Sequence, residues 1–125
     1  MNFPSNLRYT KDHEWISLEG DIATIGITDF AQRELGDIVY VEVETIGKAM
    51  QAGEIFGTVE AVKTVSDLYL PIAGTVLELN ATLAGTPEVV NNNPYGDGWM
   101  IKMKVNDPAE VAALMDAPAY EATVV

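Results

Sequence analysis

Cysteine is missing from this chain, and histidine occurs once. Without a thiol the protein can form no disulfide, thiolate zinc site or cysteine nucleophile, and any redox-active dithiol has to arrive on a cofactor. His13 has no acid and nucleophile set to work with, which argues against a triad or metal centre and leaves a structural polar contact. No glycine-rich phosphate loop is present. Basic residues are scarce as well: seven Lys and Arg stand against nineteen Asp and Glu, a formal charge of -12. That balance repels a phosphate backbone and offers few cations to displace its counterions, so nucleic acid is excluded as a partner. The acidity reads as a solvated surface or as steering toward basic partner surfaces. Long apolar runs are absent too. Leu68 to Ala73 is interrupted by Pro71 and falls well short of the ~20 residues that cross a bilayer. Met1 to Arg8 has neither the basic and apolar regions of a signal peptide nor the Arg/Ser-rich amphipathic helix of a transit peptide, so a soluble, cytoplasmic protein without membrane contact is expected.

What remains is a β-rich pattern. A chain of 125 residues with 48% hydrophobic content suits one compact domain that buries roughly two thirds of its unfolded surface. Strand signals recur every eight to fifteen residues between Gly, Asp, Asn and Pro, as in a sandwich or barrel. The expected strands are Glu14–Leu18, Asp21–Ile27, Ile38–Val43, Ile55–Glu60, Thr64–Leu70, Gly74–Leu79 and Trp99–Val105, the first two joined at Glu19-Gly20. Two short helices are expected, at 28–35 and 108–115. Thr28 is an N-cap with Gly36 as terminator, and Asp107-Pro-Ala-Glu110 is a cap with proline at N1, putting Val111, Leu114 and Met115 on one face. Gly57-Thr-Val-Glu and Gly74-Thr-Val-Leu-Glu repeat seventeen residues apart, suggesting similar strands on either side of the turn between them. Thr86 to Gly98 reads as the one long loop.

The turn holds Lys63. A tight hairpin is a rigid pedestal for an exposed ε-amine, the presentation a lysine-modifying enzyme needs. Lys102 and Lys104 alternate with core residues on the outer face of a strand, Lys48 lies in a turn and Lys11 in the N-terminal segment. Only Lys63 sits between two strands and precedes the Pro71-to-Gly74 bend.

Five segments then carry a resemblance. They are Tyr9-Thr-Lys-Asp-His-Glu-Trp15, Gly26-Ile-Thr-Asp-Phe-Ala-Gln32, Leu35-Gly-Asp-Ile-Val39, Gly57-Thr-Val-Glu-Ala-Val-Lys-Thr-Val-Ser-Asp-Leu-Tyr69 and Asn93-Pro-Tyr-Gly-Asp-Gly-Trp99. In this order and spacing they resemble the glycine cleavage H-protein family of lipoyl carriers, nearly end to end. Asn92 and Asn93 stand where the family commonly has acids, and Thr64 where alanine is frequent. Biotinyl domains usually flank their lysine with methionines, not Val62 and Thr64. Lipoyl domains of 2-oxo acid dehydrogenases usually place an acid directly before it and lack the segments around Trp15 and Trp99.

The resemblance implies a lipoyl/biotinyl-type barrel-sandwich hybrid, mostly β, with residues 1–125 as one carrier domain, a lipoyl hairpin over 55–70 and a C-terminal helix over 108–115. It implies lipoate in amide linkage to Lys63, which removes the lysine charge. The implied partners are a pyridoxal-phosphate glycine decarboxylase, a tetrahydrofolate-dependent aminomethyltransferase, the flavoprotein dihydrolipoamide dehydrogenase and the lipoylating enzymes. The chain would carry an aminomethyl group between them and catalyse nothing itself. Glu60 is implied as a recognition element for lipoylation. Glu14, Asp67 and Asp12 are implied as acids of the arm's cleft, favouring a protonated cargo amine. Tyr95 and Trp99 read as core or as partner contacts. Two other readings stay open: a relay donating lipoyl groups to other complexes, and an unmodified β-sandwich interaction module.

Overall fold

The computed structural model describes residues 1–124. In chain order the elements are β1 (Arg8–Tyr9), β2 (Glu14–Glu19), β3 (Ile22–Ile27), α1 (Asp29–Leu35), β4 (Ile38–Glu42), β5 (Ala49–Met50), β6 (Ile55–Ala61), β7 (Val65–Tyr69), β8 (Gly74–Leu79), α2 (Thr82–Gly85), α3 (Val89–Asn92), β9 (Ile101–Val105), α4 (Ala109–Ala112) and α5 (Ala117–Val124). One sheet has the order β1-β2-β3-β9-β8-β5 and the other β4-β6-β7. Every pairing is antiparallel. The expected strands are all present, with ends displaced by up to two residues.

The main core lies between the sheets, where Ile25, Val76 and Met103 meet Val41, Phe56, Val59 and Leu68. Burying each large side chain of this kind stabilises by about 1.5–3 kcal/mol. A second cluster of Leu7, Tyr9, Trp15, Ala117 and Tyr120 covers the outer face at β1 and β2. Two clusters explain why the start of β2 is not an alternating strand: Trp15 faces one and Ile16 the other, and both are buried. The Trp15 indole lies over its cross-strand partner Gly26, where a methyl would come within 2.7 Å of Nε1. Nε1 donates to the Pro94 carbonyl at 2.9 Å, which pins the 93–99 segment to the sheet.

Three expectations are corrected. The helix over 108–115 is a single turn, α4, with Pro108 and not Asp107 at its N-cap, although the Asp107 carboxylate still accepts from the Ala109 N–H at 3.1 Å. It stops because Arg8 Nη1 takes the carbonyls of Ala112 and Leu114 at 3.3 and 3.2 Å. Met115 turns away to pair with Tyr9 through bonds of 2.8 and 3.1 Å. Val111 and Leu114 therefore join the main core and Met115 the second cluster, not one shared face. The longer C-terminal helix, α5, follows, with Asp116 accepting from the Ala119 N–H at 3.0 Å.

Of the similar strands at Gly57 and Gly74 only the first, β6, flanks the Lys63 turn; its partner there is β7, and the Gly74 strand, β8, belongs to the other sheet. The two glycines share a different property, since a methyl at either would strike the backbone of a neighbouring strand, Glu42 O at Gly57 and Lys104 O at Gly74. The long loop is also partly helical, because α3 lies within it and its Val90 is fully buried.

Gly74→Ala forces the methyl against the Lys104 carbonyl and Met103, and should lower stability by about 1–3 kcal/mol. Gly85→Ala adds a methyl with nothing within 4 Å and should leave stability unchanged or raise it slightly. Urea unfolding checks this: the first midpoint falls at constant m and the second does not. Equal midpoints would show that β8 and β9 part freely to admit the methyl.

Candidate functional site

The β6–β7 hairpin raises Lys63 at its tip. The strands pair from Gly57↔Leu68 to Glu60↔Val65, and the Ala61 N–H donates to the Thr64 carbonyl at 2.7 Å. Val62 and Lys63 are left beyond the last pair, exposed, with Val62 75% accessible. The Val62 N–H donates to Asp37 O at 3.0 Å, so the tip is tied to the connection between α1 and β4. The Lys63 stem lies over Gly36, where a methyl would sit 3.5 Å from Cε. Among the described residues Lys63 enters no ion pair, whereas Lys104 approaches Asp21 at 3.9 Å and Lys102 lies 5.1 Å over the Trp99 ring. Glu60 is on the outer face of the small sheet, in one cross-strand row with Tyr40 and Val65. All three are exposed.

Between this hairpin and α1 runs a cleft of about 450 Å³. β6 and β7 contribute Val59, Ser66, Asp67 and Leu68, and α1 contributes Phe30, Ala31, Glu34 and Leu35. α1 is placed by its caps: Thr28 accepts from the Ala31 N–H at 3.2 Å, and Gly36 closes it at φ 82°. The floor comes from the turn before β2, with Asp12, His13 and Glu14. The structure thus brings Asp12, Glu14 and Asp67 to one cleft with Lys63 at the end where α1 stops, while Glu60 lies outside it.

Glu14 is the unusual member, being only 2% exposed. Its Oε1 accepts from Thr10 Oγ1 at 3.0 Å and its Oε2 from the Tyr69 N–H at 3.1 Å. Burial outweighs those bonds and pushes its pKa up to about 8. The sequence suggested a carboxylate poised for a cation; the carboxyl is instead held largely protonated near neutrality. Asp12 and Asp67 are exposed. His13 adopts φ 67°, a left-handed conformation that costs about 1 kcal/mol or more for a residue with a side chain. Its Nδ1 meets the Tyr120 hydroxyl at 2.9 Å and its ring packs on Phe30. Burial lowers its pKa despite Asp12 and Glu34, so it opposes the acids of the cleft with little positive charge.

Glu34 was not anticipated as a cleft acid. Its position four residues after Phe30 puts both on one face of α1, a signal present in the sequence. Tyr95 donates from its hydroxyl to Asn2 O at 2.7 Å and accepts from the Asp29 N–H at 3.0 Å. Trp99 is half-buried against the second cluster.

A hairpin-borne lysine beside an acid-lined cleft, on two antiparallel sheets, is the arrangement of a protein that carries a group on a tether. The comparisons with known proteins agree with that class. Residues 7–125 match the family model described as glycine cleavage H-protein. The glycine cleavage system H protein of Bacteroides thetaiotaomicron is 59% identical over 124 residues, 99% of this chain and 98% of the relative. That of Chlorobium phaeovibrioides is 63% identical over 122 residues, covering 96% and 95%. A crystal structure of a glycine cleavage system H protein from Mycobacterium marinum superposes with a TM-score of 0.87 at 36% identity, covering 97% of this chain and 98% of that one. The chain belongs to the glycine cleavage H-protein family, the lipoyl carriers of the glycine cleavage system. Its fold is the lipoyl-type barrel-sandwich hybrid, and it is a carrier, not an enzyme.

Glu14 makes stability depend on pH in a defined direction. The folded protein holds this proton more tightly than the unfolded chain, from an ordinary value of 4.5 to about 8. Its contribution is complete below the ordinary value and is lost as pH rises between the two, with a slope of at most about 1.4 kcal/mol per pH unit. Glu14→Gln keeps an acceptor for the Tyr69 N–H and a partner for Thr10 without the ionisation. Its stability should fall less than that of the wild type between pH 5 and pH 8, values spanning that window. Denaturant unfolding at several pH values reads this; parallel curves would show that Glu14 ionises in the folded protein as it does in water.

Proposed function

We propose that Lys63 is the lipoyl attachment site and that the adjoining cleft shelters the cargo of the arm. One observation carries this reading: the two strands that raise Lys63 also form a wall of the acid-lined cleft. The residues present suit the group, with an exposed primary amine on a fixed turn and a cleft that has apolar surface at Ile27, Phe30 and Leu68 beside its acids. When attached, lipoate would supply a dithiolane, one sulfur of which takes the aminomethyl group left by glycine decarboxylation as the S–S bond breaks; removal of the group by the folate-dependent transferase would leave a dithiol for the flavoprotein to reoxidise. Residues 1–125 act in this reading as one cytoplasmic carrier domain. Its partners are glycine decarboxylase, aminomethyltransferase, dihydrolipoamide dehydrogenase and the lipoylating enzymes. Glu60, set between Tyr40 and Val65 on the exposed sheet face, serves as a contact for the lipoylating enzyme.

Glu14, Asp67 and Asp12 keep the cargo amine protonated. A cation has no lone pair with which to expel the sulfur, so the group is spared hydrolysis to formaldehyde and ammonia. Since burial keeps Glu14 protonated in the resting cleft, an entering ammonium draws it toward the carboxylate and the charge appears where the cargo sits.

Intact mass and peptide mapping after incubation with a lipoylating enzyme should place a lipoyl group on Lys63. Lys63→Arg should keep the fold but lose the modification and all glycine-dependent exchange, because arginine retains the charge without an acylatable amine. Lipoyl found on Lys48 or Lys102, or exchange surviving the substitution, refutes the assignment.

Glu14→Gln with Asp67→Asn should leave lipoylation intact and shorten the lifetime of the carried group by up to about tenfold, the effect of about one pKa unit on the amine. Release of formaldehyde near neutral pH measures it, and the difference from wild type should shrink in acid. Equal lifetimes across that range would mean that the cleft protects by excluding water alone.

A further inference from the structure

Asn91, in the short helix α3, does not line the cleft, yet two of the three hydrogen bonds of its amide go to the segment on which Lys63 rests and the third to α1 just before it. Oδ1 accepts from the Ile38 N–H at 2.9 Å. Nδ2 donates to Gly36 O at 2.9 Å and to Gln32 Oε1 at 3.0 Å. The backbone partners fix the orientation of the amide, since only its oxygen can meet an N–H and only its nitrogen can meet a carbonyl.

The Ile38 N–H and the Asp37 C=O belong to a single planar peptide, and in a trans peptide they point in opposite directions. Asn91 holds the N–H end. The carbonyl end accepts from Val62, the residue before the lysine, at 3.0 Å. The series Asn91 Oδ1, peptide 37–38, Val62 N–H is a two-bond chain in which each bond polarises the next. The second arm of the amide holds the carbonyl of Gly36, over which the Lys63 stem lies. Both supports of Lys63, for its backbone and for its stem, are therefore set by one side chain. That side chain is itself anchored by the fully buried Val90 next to it.

From this geometry we infer that Asn91 is a positioning residue for the acylation of Lys63: it orients the hairpin tip so that Nζ is presented to the lipoylating enzyme. The inference rests on Lys63 being the attachment site. In that step the neutral amine attacks the carbonyl of an activated acyl donor such as an acyl adenylate, the C–N bond forms as the bond to AMP breaks, and the amine loses one proton.

Two variants of the complete apo chain test it. Asn91→Ala removes all three bonds; Asn91→Asp keeps an acceptor for the Ile38 N–H but has no donor for Gly36. Amide hydrogen exchange at Val62 is compared with that at Val59, a buried residue of β6 that reports opening of the whole sheet. Lipoylation is followed with purified lipoate ligase, lipoate and ATP. Asn91→Ala should accelerate Val62 exchange by about tenfold or more while Val59 changes little. It should lower kcat/KM for lipoylation by about tenfold, chiefly through KM, because the tip is presented less often in the productive orientation. Asn91→Asp should retain most of the Val62 protection and recover part of the lipoylation rate.

Wild-type exchange at Val62 and wild-type lipoylation in Asn91→Ala overturn the inference. So does equal acceleration at Val62 and Val59, which reduces Asn91 to a general stabiliser. Should Asn91→Ala fail to fold, Asn91→Asp decides: kinetics identical to wild type deny the Gly36 bond any part in positioning. A wild-type chain that takes no lipoyl group at Lys63 refutes the attachment reading instead, and Val62 exchange still judges the hydrogen-bond chain by itself.

Discussion

The carboxyl of Glu14 joins the two sheets by a hydrogen bond across the core. It projects from the first residue of β2, in the six-stranded sheet, and accepts from the Tyr69 N–H at the end of β7, in the three-stranded one. Its other oxygen is occupied by Thr10, whose hydroxyl oxygen also accepts from the backbone N–H groups of Asp12 and Glu14. A buried polar group left without such partners costs about 1–3 kcal/mol, so the Thr10 turn, the start of β2 and the end of β7 are held in one arrangement. That arrangement shapes the floor of the cleft. The same burial that makes the bonds valuable also raises the carboxyl's proton affinity, so the structural role and the electrostatic character of Glu14 have a single origin.

Similar economy governs the opposite wall. Thr28 caps α1 and its hydroxyl also meets that of Tyr120 at 2.7 Å, while Tyr120 reaches His13 and stacks on Tyr9. The C-terminal helix thus braces both the helix that forms one side of the cleft and the turn beneath it. Asp12, Glu34 and Asp67 line the cleft together with the apolar side chains of Phe30, Ile27 and Leu68. Acids and apolar surface in one cleft suit a ligand with an aliphatic chain and a cationic end.

Much of this was legible in the sequence where local signals and tertiary demands coincide. The β-branched runs of Ile38–Val43 and Ile55–Glu60 became strands, and Thr28 with Gly36 bounded α1 to the residue. Glu14, Asp67 and Asp12 line one cleft, a gathering from the start of β2, an edge strand and a turn that spacing alone could not have foretold. The failures have physical causes. Asp107 to Met115 has good helix chemistry, but Arg8 and Tyr9 compete for its last carbonyls and amides, and a contact across a hundred residues leaves no local trace. The helix α5 had a local signal too, since Asp116 precedes Ala117-Pro118 and accepts from the Ala119 N–H at 3.0 Å. The protonated state of Glu14 was invisible for a related reason: it depends on burial from several elements, and a string of letters says only that the side chain is acidic.

The order of strands in the larger sheet has a consequence for how the protein is made. β9, the last strand in the chain, lies between β3 and β8, so the sheet lacks an interior member until residue 105 has been synthesised. Until then β3 and β8 each present an unpaired edge, and the core that should cover Val41 and Val59 lacks Ile101 and Met103. Local hairpins such as β6–β7 can close early, within microseconds, but the long-range closure of β9 has to wait for the ribosome to release the C-terminal segment. The scaffold beneath the hairpin is therefore completed only after β9 has been made, well after the hairpin itself.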